Sequence, residues 1–183
     1  MSKVQIICIL DRSGSMGFLA PEVINSYNTF IQDQQKEKGK AAVTLVLFDD
    51  KYEVIYEGLS LKKVPELTSE VYFARGMTAM YDAIGKTISS NDAKDAMVLI
   101  NTDGYENGSQ EYTKDSIKKL ITEKEALGWD FIFLGANIDA ASEGASFGMA
   151  ANKSVQFEAS FDGIKDAYTV MSNATSSYRA SKL

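Results

Sequence analysis

The sequence predicts a doubly wound, Rossmann-like α/β fold with a mainly parallel sheet and helices on both faces. Three observations support this class. Strand-like apolar runs alternate with helical segments, which is the pattern of a parallel sheet. The first run, 4–10, is apolar without alternation, as expected of a central strand buried on both faces. The short connection between 42–48 and 52–56 permits only an antiparallel hairpin.

The predicted sheet has six strands, and the 51–57 strand forms its antiparallel edge. The strands are expected at 4–10, 42–48, 51–57, 96–101, 130–134 and 154–157. Residues 57–76 are expected to be irregular because they hold Gly58, Pro65 and Gly76.

Apolar residues at helical spacing predict five helices. The ranges are 21–39, 81–88, 117–128, 140–147 and 161–175. Pro21 lies near the start of the first helix, and glycines stand at the ends of several others. Thr78 precedes the second helix, where it could be an ordinary N-cap.

Composition excludes several classes of function. The 183 residues fit a single domain spanning 1–183, with a net charge of −6 and an isoelectric point near 4.8. Because the chain has no basic stripe and no apolar run long enough for a bilayer, neither nucleic acid nor membrane is expected as a partner. The chain has no histidine, which excludes Ser-His-Asp triads and imidazole chemistry. One cysteine, Cys8, and no recognisable signal peptide favour a cytoplasmic location.

Five oxygen-bearing side chains stand where predicted strands end or a helix begins. Asp11, Ser13 and Ser15 follow the first strand, Asp103 follows the fourth, and Thr78 precedes the second helix. If the first and fourth strands are neighbours at the switch point of the sheet, all five side chains converge. Two carboxylates and three hydroxyls form an oxygen-only site, which suits Mg²⁺, Mn²⁺ or Ca²⁺. The pair Asp49-Asp50 could also bind metal, although turn chemistry is the favoured interpretation.

These residues resemble the von Willebrand factor A domain and its metal-ion-dependent adhesion site, or MIDAS. The family pattern is Asp-x-Ser-x-Ser after the first strand, then a threonine, then an Asp after the fourth strand. The matching segments are Asp11-Arg12-Ser13-Gly14-Ser15, Thr78 within Gly76-Met77-Thr78-Ala79-Met80, and Thr102-Asp103-Gly104. Tyr105-Glu106-Asn107 departs from the Asp-Gly-x-Pro run that is common in the family, which leaves the shape of that loop open.

The resemblance implies a doubly wound sheet with one antiparallel edge strand, in a stand-alone intracellular protein of bacterial or phage type. It implies that Ser13, Ser15 and Thr78 are candidates for direct coordination, and that Asp11 and Asp103 act directly or through water. The implied metal is Mg²⁺, with Mn²⁺ or Ca²⁺ as alternatives. The implied partner is a protein that offers an Asp or Glu carboxylate.

The resemblance also implies a rim around the metal that a partner would touch. Its candidates are Arg12, Met16, Tyr105, Glu106 and Asn137. Each could instead be a merely solvated loop residue, and Arg75 could belong to the rim or simply precede a turn.

Three functions remain open at this point. The first is a metal-dependent protein-interaction module without catalytic activity. The second is a Mg²⁺-dependent phosphatase with Asp11 as nucleophile, although such enzymes need a second Asp where this chain has Ser13. The third is a scaffold whose metal is only structural. Nucleotide-binding glycine motifs are absent from the sequence.

Overall fold

The computed structural model describes residues 3–183 and contains one six-stranded sheet. The strands are β1 (Val4–Asp11), β2 (Ala41–Phe48), β3 (Tyr52–Ser60), β4 (Ala96–Thr102), β5 (Asp130–Gly135) and β6 (Ser154–Gln156). Their order across the sheet is β3-β2-β1-β4-β5-β6. All neighbouring strands are parallel except β3, which runs antiparallel to β2 at one edge. The predicted fold class is therefore confirmed.

Five helices cover the two faces of the sheet. They are α1 (Ala20–Lys36), α2 (Met80–Ser89), α3 (Lys114–Ala126), α4 (Ala140–Ser146) and α5 (Phe161–Ala180). Helices α1 and α5 pack on one face, while α2, α3 and α4 pack on the other. Within residues 3–183, none of the helices has the length and apolarity needed to span a bilayer.

Strand β1 is the centre of the molecule, because all eight of its residues are buried. Ile6 and Cys8 point into the layer under α1 and α5, whereas Ile7 and Ile9 point towards α2 and α3. Burying each isoleucine contributes roughly 1.5–3 kcal/mol to stability. A slip of one residue would exchange the two faces, so this packing fixes the register and with it the position of Asp11.

The chain changes direction across the sheet at β1. Strand β1 pairs with β2 on one side and with β4 on the other, so β1 and β4 are neighbours although residues 12–95 lie between them in the sequence. Ligands of open α/β sheets bind at such a switch point, beyond the carboxyl ends of the strands. The segments that follow Asp11 and Thr102 therefore meet at the same edge.

One local prediction was wrong, and one alternative interpretation is excluded. Strand β3 continues to Ser60 because Gly58 adopts a φ of 59° where the β2–β3 register shifts, so the glycine accommodates a bulge and does not end the strand. Helix α2 starts at Met80 with Ala79 as its N-cap, so Thr78 lies outside the helix and does not cap it.

The Asp82 carboxylate holds the last part of the segment between β4 and α3 against α2. Asp82 accepts backbone hydrogen bonds from Gln110, Glu111 and Tyr112 at 2.8–2.9 Å. Burial alone would raise the pKa of Asp82. The three hydrogen bonds outweigh that effect and hold the pKa below its usual range. The ring of Tyr112 lies over Gly85, where an added Cβ would come within 2.2 Å of the ring.

The contact between Tyr112 and Gly85 gives a stability prediction. Gly85→Ala should destabilise the protein by about 1–3 kcal/mol, because overpacking against the ring outweighs the better helix propensity of alanine. In a Tyr112→Ala background the same change should be neutral or stabilising. Urea denaturation of the four proteins in this double-mutant cycle measures both effects. Equal effects of Gly85→Ala in both backgrounds would contradict the prediction.

Candidate metal centre

Asp11 ends β1 as a buried carboxylate, with 1% of its surface exposed. Its Oδ1 accepts a hydrogen bond from the backbone N–H of Ser13 at 2.6 Å, and its Oδ2 accepts one from Thr102 Oγ1 at 2.6 Å. The Tyr72 hydroxyl donates to the backbone carbonyl of Asp11. Burial raises the pKa of Asp11 to about 6, against the opposing effect of these hydrogen bonds, and the charge of Asp103 adds to the rise.

A second hydrogen bond joins the loops that follow β1 and β4. Ser15 Oγ donates to Asp103 Oδ1 at 2.6 Å, and the hydroxyl oxygens of Ser13 and Ser15 are 3.3 Å apart. Burial also raises the pKa of Asp103, while the hydrogen bond from Ser15 lowers it. Four of the five predicted ligands are therefore in one connected cluster.

Thr78 joins this cluster through the backbone of the β4–α3 loop. Its N–H donates to Asn107 Oδ1 at 2.7 Å, and its carbonyl accepts from the Asn107 N–H at 3.0 Å. A Cβ placed on Gly104 would lie 4.0 Å from Thr78 Oγ1, so the threonine hydroxyl lies beside the Asp103-Gly104 turn. The structure thus brings all five residues together, and their role as metal ligands stays a prediction.

The donor set fits a hard divalent cation. Asp11, Ser13, Ser15, Thr78 and Asp103 offer two carboxylates and three hydroxyls. Residues 3–183 contain no group of three or more carboxylate, thiol or imidazole side chains placed to hold a metal ion. A cation at this site would rely on hydroxyl and water oxygens beside the two aspartates, which is chemistry suited to Mg²⁺ or Mn²⁺ and less to a thiolate-binding metal.

Two of the predicted rim residues are buried instead. Arg12 and Met16 are each 1% exposed, so a partner could not touch them. Arg12 Nε donates to Asp49 Oδ2 at 3.1 Å, and its other nitrogens contact Glu53 and the carbonyl of Val71. A buried guanidinium needs such partners because desolvating a charge is costly.

Asp49 connects two of the three loops that carry the predicted ligands. Its Oδ2 accepts from Arg75 Nε at 2.7 Å as well as from Arg12, while its backbone carbonyl accepts from Ala79 N–H. Its Oδ1 accepts a hydrogen bond from the Lys51 N–H at 2.7 Å. Asp49 therefore stabilises the β2–β3 turn, as predicted, in addition to forming a buried ion pair. Burial alone would raise the pKa of Asp49, but these hydrogen bonds and the two guanidinium charges outweigh it and lower the pKa.

Gly76 allows the second loop to approach this turn closely. Its φ is +69°, and a Cβ at this position would lie 1.8 Å from Asp50 Oδ1. The carbonyl of Gly76 accepts a hydrogen bond from Gly14 N–H at 3.1 Å. The first and second loops are therefore tied directly to each other and to the β2–β3 turn.

The other rim candidates fall into two groups. Tyr105 is 53% exposed, Asn137 is exposed with a φ of 55°, and Arg75 is partly exposed. Glu106 instead turns inwards and accepts from Tyr81 N, Gly108 N and both Ser109 donors. The Tyr105-Glu106-Asn107 sequence therefore builds its own closed loop, with Glu106 bonded to the first turn of α2.

Solved structures share this fold at low sequence identity. The PilB minor pilin from Streptococcus sanguinis matches with a TM-score of 0.72 and 14% identity, over 96% of this chain and 62% of its own. The vWF domain of the type V pili tip protein Mfa5 from Porphyromonas gingivalis matches with a TM-score of 0.69 and 10% identity, over 95% of each chain. The chain has the von Willebrand factor A fold.

A third solved structure with this fold has a metal bound at its MIDAS motif. Proximal thread matrix protein 1 from the mussel byssus, in a structure with a zinc-occupied MIDAS motif, has a TM-score of 0.66 and 16% identity. The match covers 96% of this chain and 46% of the mussel protein. The chain thus spans less than two thirds of the PilB and mussel proteins. A scan against protein-family models and a search of curated proteins find no match.

The raised pKa of Asp11 predicts how the stability of the metal-free protein depends on pH. The folded state holds this proton up to about pH 6 and the unfolded state only to about 3.8, so the free energy of unfolding should fall as pH rises between these values. The loss should be on the order of 2 kcal/mol. Asp11→Asn should remove it, because an amide oxygen can still accept from Ser13 N–H and the NH₂ can donate to Thr102 Oγ1.

Urea denaturation of both proteins in chelator, from pH 4 to pH 7.5, measures this difference. Parallel curves for the wild type and Asp11→Asn would show that Asp11 is not the group responsible.

The buried ion pair gives a second prediction for this region. Asp49→Ala should destabilise the metal-free protein by about 3 kcal/mol, because it leaves the Arg12 guanidinium buried with only Glu53 as an anionic partner. Asp50→Ala removes the adjacent exposed carboxylate and should change stability by less than about 0.5 kcal/mol. Thermal and urea denaturation in chelator compare the two variants, and equal effects would contradict the assigned role of Asp49.

Proposed function

We propose that this chain is a divalent-metal-dependent protein-interaction module. The proposal rests on the convergence of Asp11, Ser13, Ser15, Thr78 and Asp103 from three loops at one edge of the sheet. These residues would hold Mg²⁺, or alternatively Mn²⁺ or Ca²⁺, and an Asp or Glu of the partner would complete the coordination. A metal in a MIDAS motif of the mussel byssus neighbour supports the use of this edge for a divalent ion.

The charge of the donor set favours an acidic partner. Two aspartates balance the charge of a divalent cation, and the hydroxyls of Ser13, Ser15 and Thr78 add none. The bound metal would therefore supply an electrophilic position for an incoming carboxylate. That contact would act as a hot spot within a larger interface.

Hydrogen bonds within the site hold its two carboxylates in position. Ser13 N–H and Thr102 Oγ1 orient the Asp11 carboxylate, and Ser15 Oγ orients Asp103. Metal binding needs both carboxylates in their ionised form, so it competes with the proton that burial favours on Asp11. Metal affinity should accordingly increase with pH up to neutrality.

The same contacts favour binding over phosphoryl transfer, and we propose that the chain is not an enzyme. Both oxygens of Asp11 accept hydrogen bonds, which makes this carboxylate a weaker nucleophile. Ser13 stands where a general acid would be needed, and a hydroxyl is a poor proton donor at neutral pH. An aryl phosphatase activity that is lost in Asp11→Asn would reverse this conclusion.

Thermal melting tests the metal site. With Mg²⁺ or Mn²⁺ at about 100 times its Kd, the wild type should gain roughly 2.7 kcal/mol of stability over the protein in chelator. Asp11→Ala should show no gain. Asp162→Ala removes a carboxylate that is 94% exposed at the start of α5 and should keep the full gain. A metal-dependent shift of the same size in Asp11→Ala would refute the assignment of the site.

Pull-down from cell lysate tests the interaction itself. Immobilised wild type should retain a protein in Mg²⁺ and release it in chelator, and Asp11→Ala should retain none. A metal that raises the melting temperature without changing the retention of any protein would instead support the purely structural role.

A further inference from the structure

Large apolar side chains are concentrated at the edge of the sheet that carries the candidate metal centre. In the described part of the chain, eight large hydrophobic side chains are exposed. Five of them lie in the segments before α1 and α2, in the loop after β4 or at the first residue of α5, with exposed fractions from 41% to 74%. This apolar collar consists of Phe18, Phe73, Met77, Tyr105 and Phe161. Solvent-exposed apolar clusters of this kind mark interaction sites.

The collar is held in place before any partner binds. The rings of Phe18 and Phe161 stack with their centroids 5.3 Å apart. The guanidinium carbons of Arg12 and Arg75 lie 5.4 Å and 5.2 Å from the centroid of the Phe73 ring. The hydroxyl of Tyr105 accepts a hydrogen bond from Asp139 N–H at 3.1 Å. Binding of a partner to these side chains would therefore cost little conformational entropy.

An open cleft adjoins the collar next to the first ligand loop. It lies between the start of α1 and the 69–74 segment, and its volume is about 530 Å³. Its lining is mainly apolar and includes Gly17, Ala20, Pro21, Ile24, Tyr72 and Phe73. Gly17, which lines the cleft, lies two residues after Ser15, so the cleft adjoins the first ligand loop.

We propose that the collar and cleft bind the same partner segment that supplies a carboxylate to the metal, and that this segment carries an aromatic or branched aliphatic residue beside its acidic residue. The inference rests on the proposed function, because the metal fixes the carboxylate next to the collar. The acidic residue would fill the open metal position, and its apolar neighbour would enter the cleft against Phe73.

The negative charge of this edge distinguishes the proposed partner from two other possible occupants, a membrane and a second copy of the chain. The chain has a net charge of −6, and Asp50, Asp139 and Asp162 are exposed at the same edge as the collar. An anionic membrane or a second copy of this chain would therefore be repelled. A segment with one carboxylate, which the metal neutralises, and without further acidic residues matches both the metal and its surroundings.

Selection from a peptide library tests the preference directly. Random peptides with one fixed central Asp, displayed on phage, are bound to the immobilised protein in Mg²⁺ and eluted with chelator. The eluted pool should be enriched in aromatic or branched aliphatic residues within two positions of the Asp, and depleted of further acidic residues. Because the cleft would remove one such side chain from water, selected peptides should bind at least about tenfold tighter than versions with serine at that position.

Two variants test whether the preference for an apolar residue in the peptide comes from the collar. Phe73→Ser and Phe18→Ser should keep the metal-dependent melting shift and the requirement for Asp, while the apolar preference weakens. Leu127→Ser is the matched control, because Leu127 is 70% exposed at the end of α3, away from the collar, and its replacement should change nothing.

The outcomes separate failure of this inference from failure of the proposed function. Chelator-sensitive enrichment with no apolar preference, or with the same preference in Phe73→Ser and Phe18→Ser, overturns the inference and leaves the metal-dependent module intact. Absence of any chelator-sensitive enrichment overturns both. Self-association in Mg²⁺ that is lost in Phe18→Ser, measured by sedimentation velocity, would overturn the inference in favour of a second copy as the occupant.

Discussion

Two buried aspartates, one paired with cations and one bonded only to neutral donors, determine the architecture of the edge that carries the candidate metal centre. Asp49 is surrounded by the guanidiniums of Arg12 and Arg75, so its negative charge is stabilised within the protein. Asp11 has neutral donors only, and burial makes its charge unfavourable. Because a buried charge without a counter-ion is costly, the paired Asp49 carboxylate fixes the loops, whereas the charge of Asp11 would be stabilised by the cation proposed above.

The β2–β3 turn is the structural base of the site, although it supplies none of the predicted ligands. Through Asp49 it holds the loop after β1 by Arg12 and the segment before α2 by Arg75 and Ala79. On the far side, Asn107 exchanges two hydrogen bonds with Thr78 and so connects that segment to the loop after β4. Hydrogen bonds therefore tie together three loops that are distant in sequence, and such preorganisation would reduce the entropy lost on binding the proposed metal.

The sequence was sufficient for the sheet and for the convergence of the ligand residues, but not for the surroundings of the site. Unbroken apolar runs identify β1 and β4 as central strands, and polar residues at their ends must then meet. The burial of Arg12 could not be predicted, because a charged loop residue is normally solvated and its partner Asp49 lies 37 residues away. The inward position of Glu106 depends equally on its contact with Tyr81, which local patterns do not reveal.

The two edges of the sheet restrict the ways in which this molecule can assemble. Strand β3 presents the exposed carboxylates of Glu53 and Glu57 and is distorted by the bulge near Gly58, while β6 has only three residues. Both features oppose the addition of a strand from a neighbouring molecule. Growth of a continuous intermolecular sheet, which is difficult to reverse, is thereby discouraged. The proposed attachment through the loops would instead be reversible, so an assembly built in this way could be dismantled without unfolding any of its members.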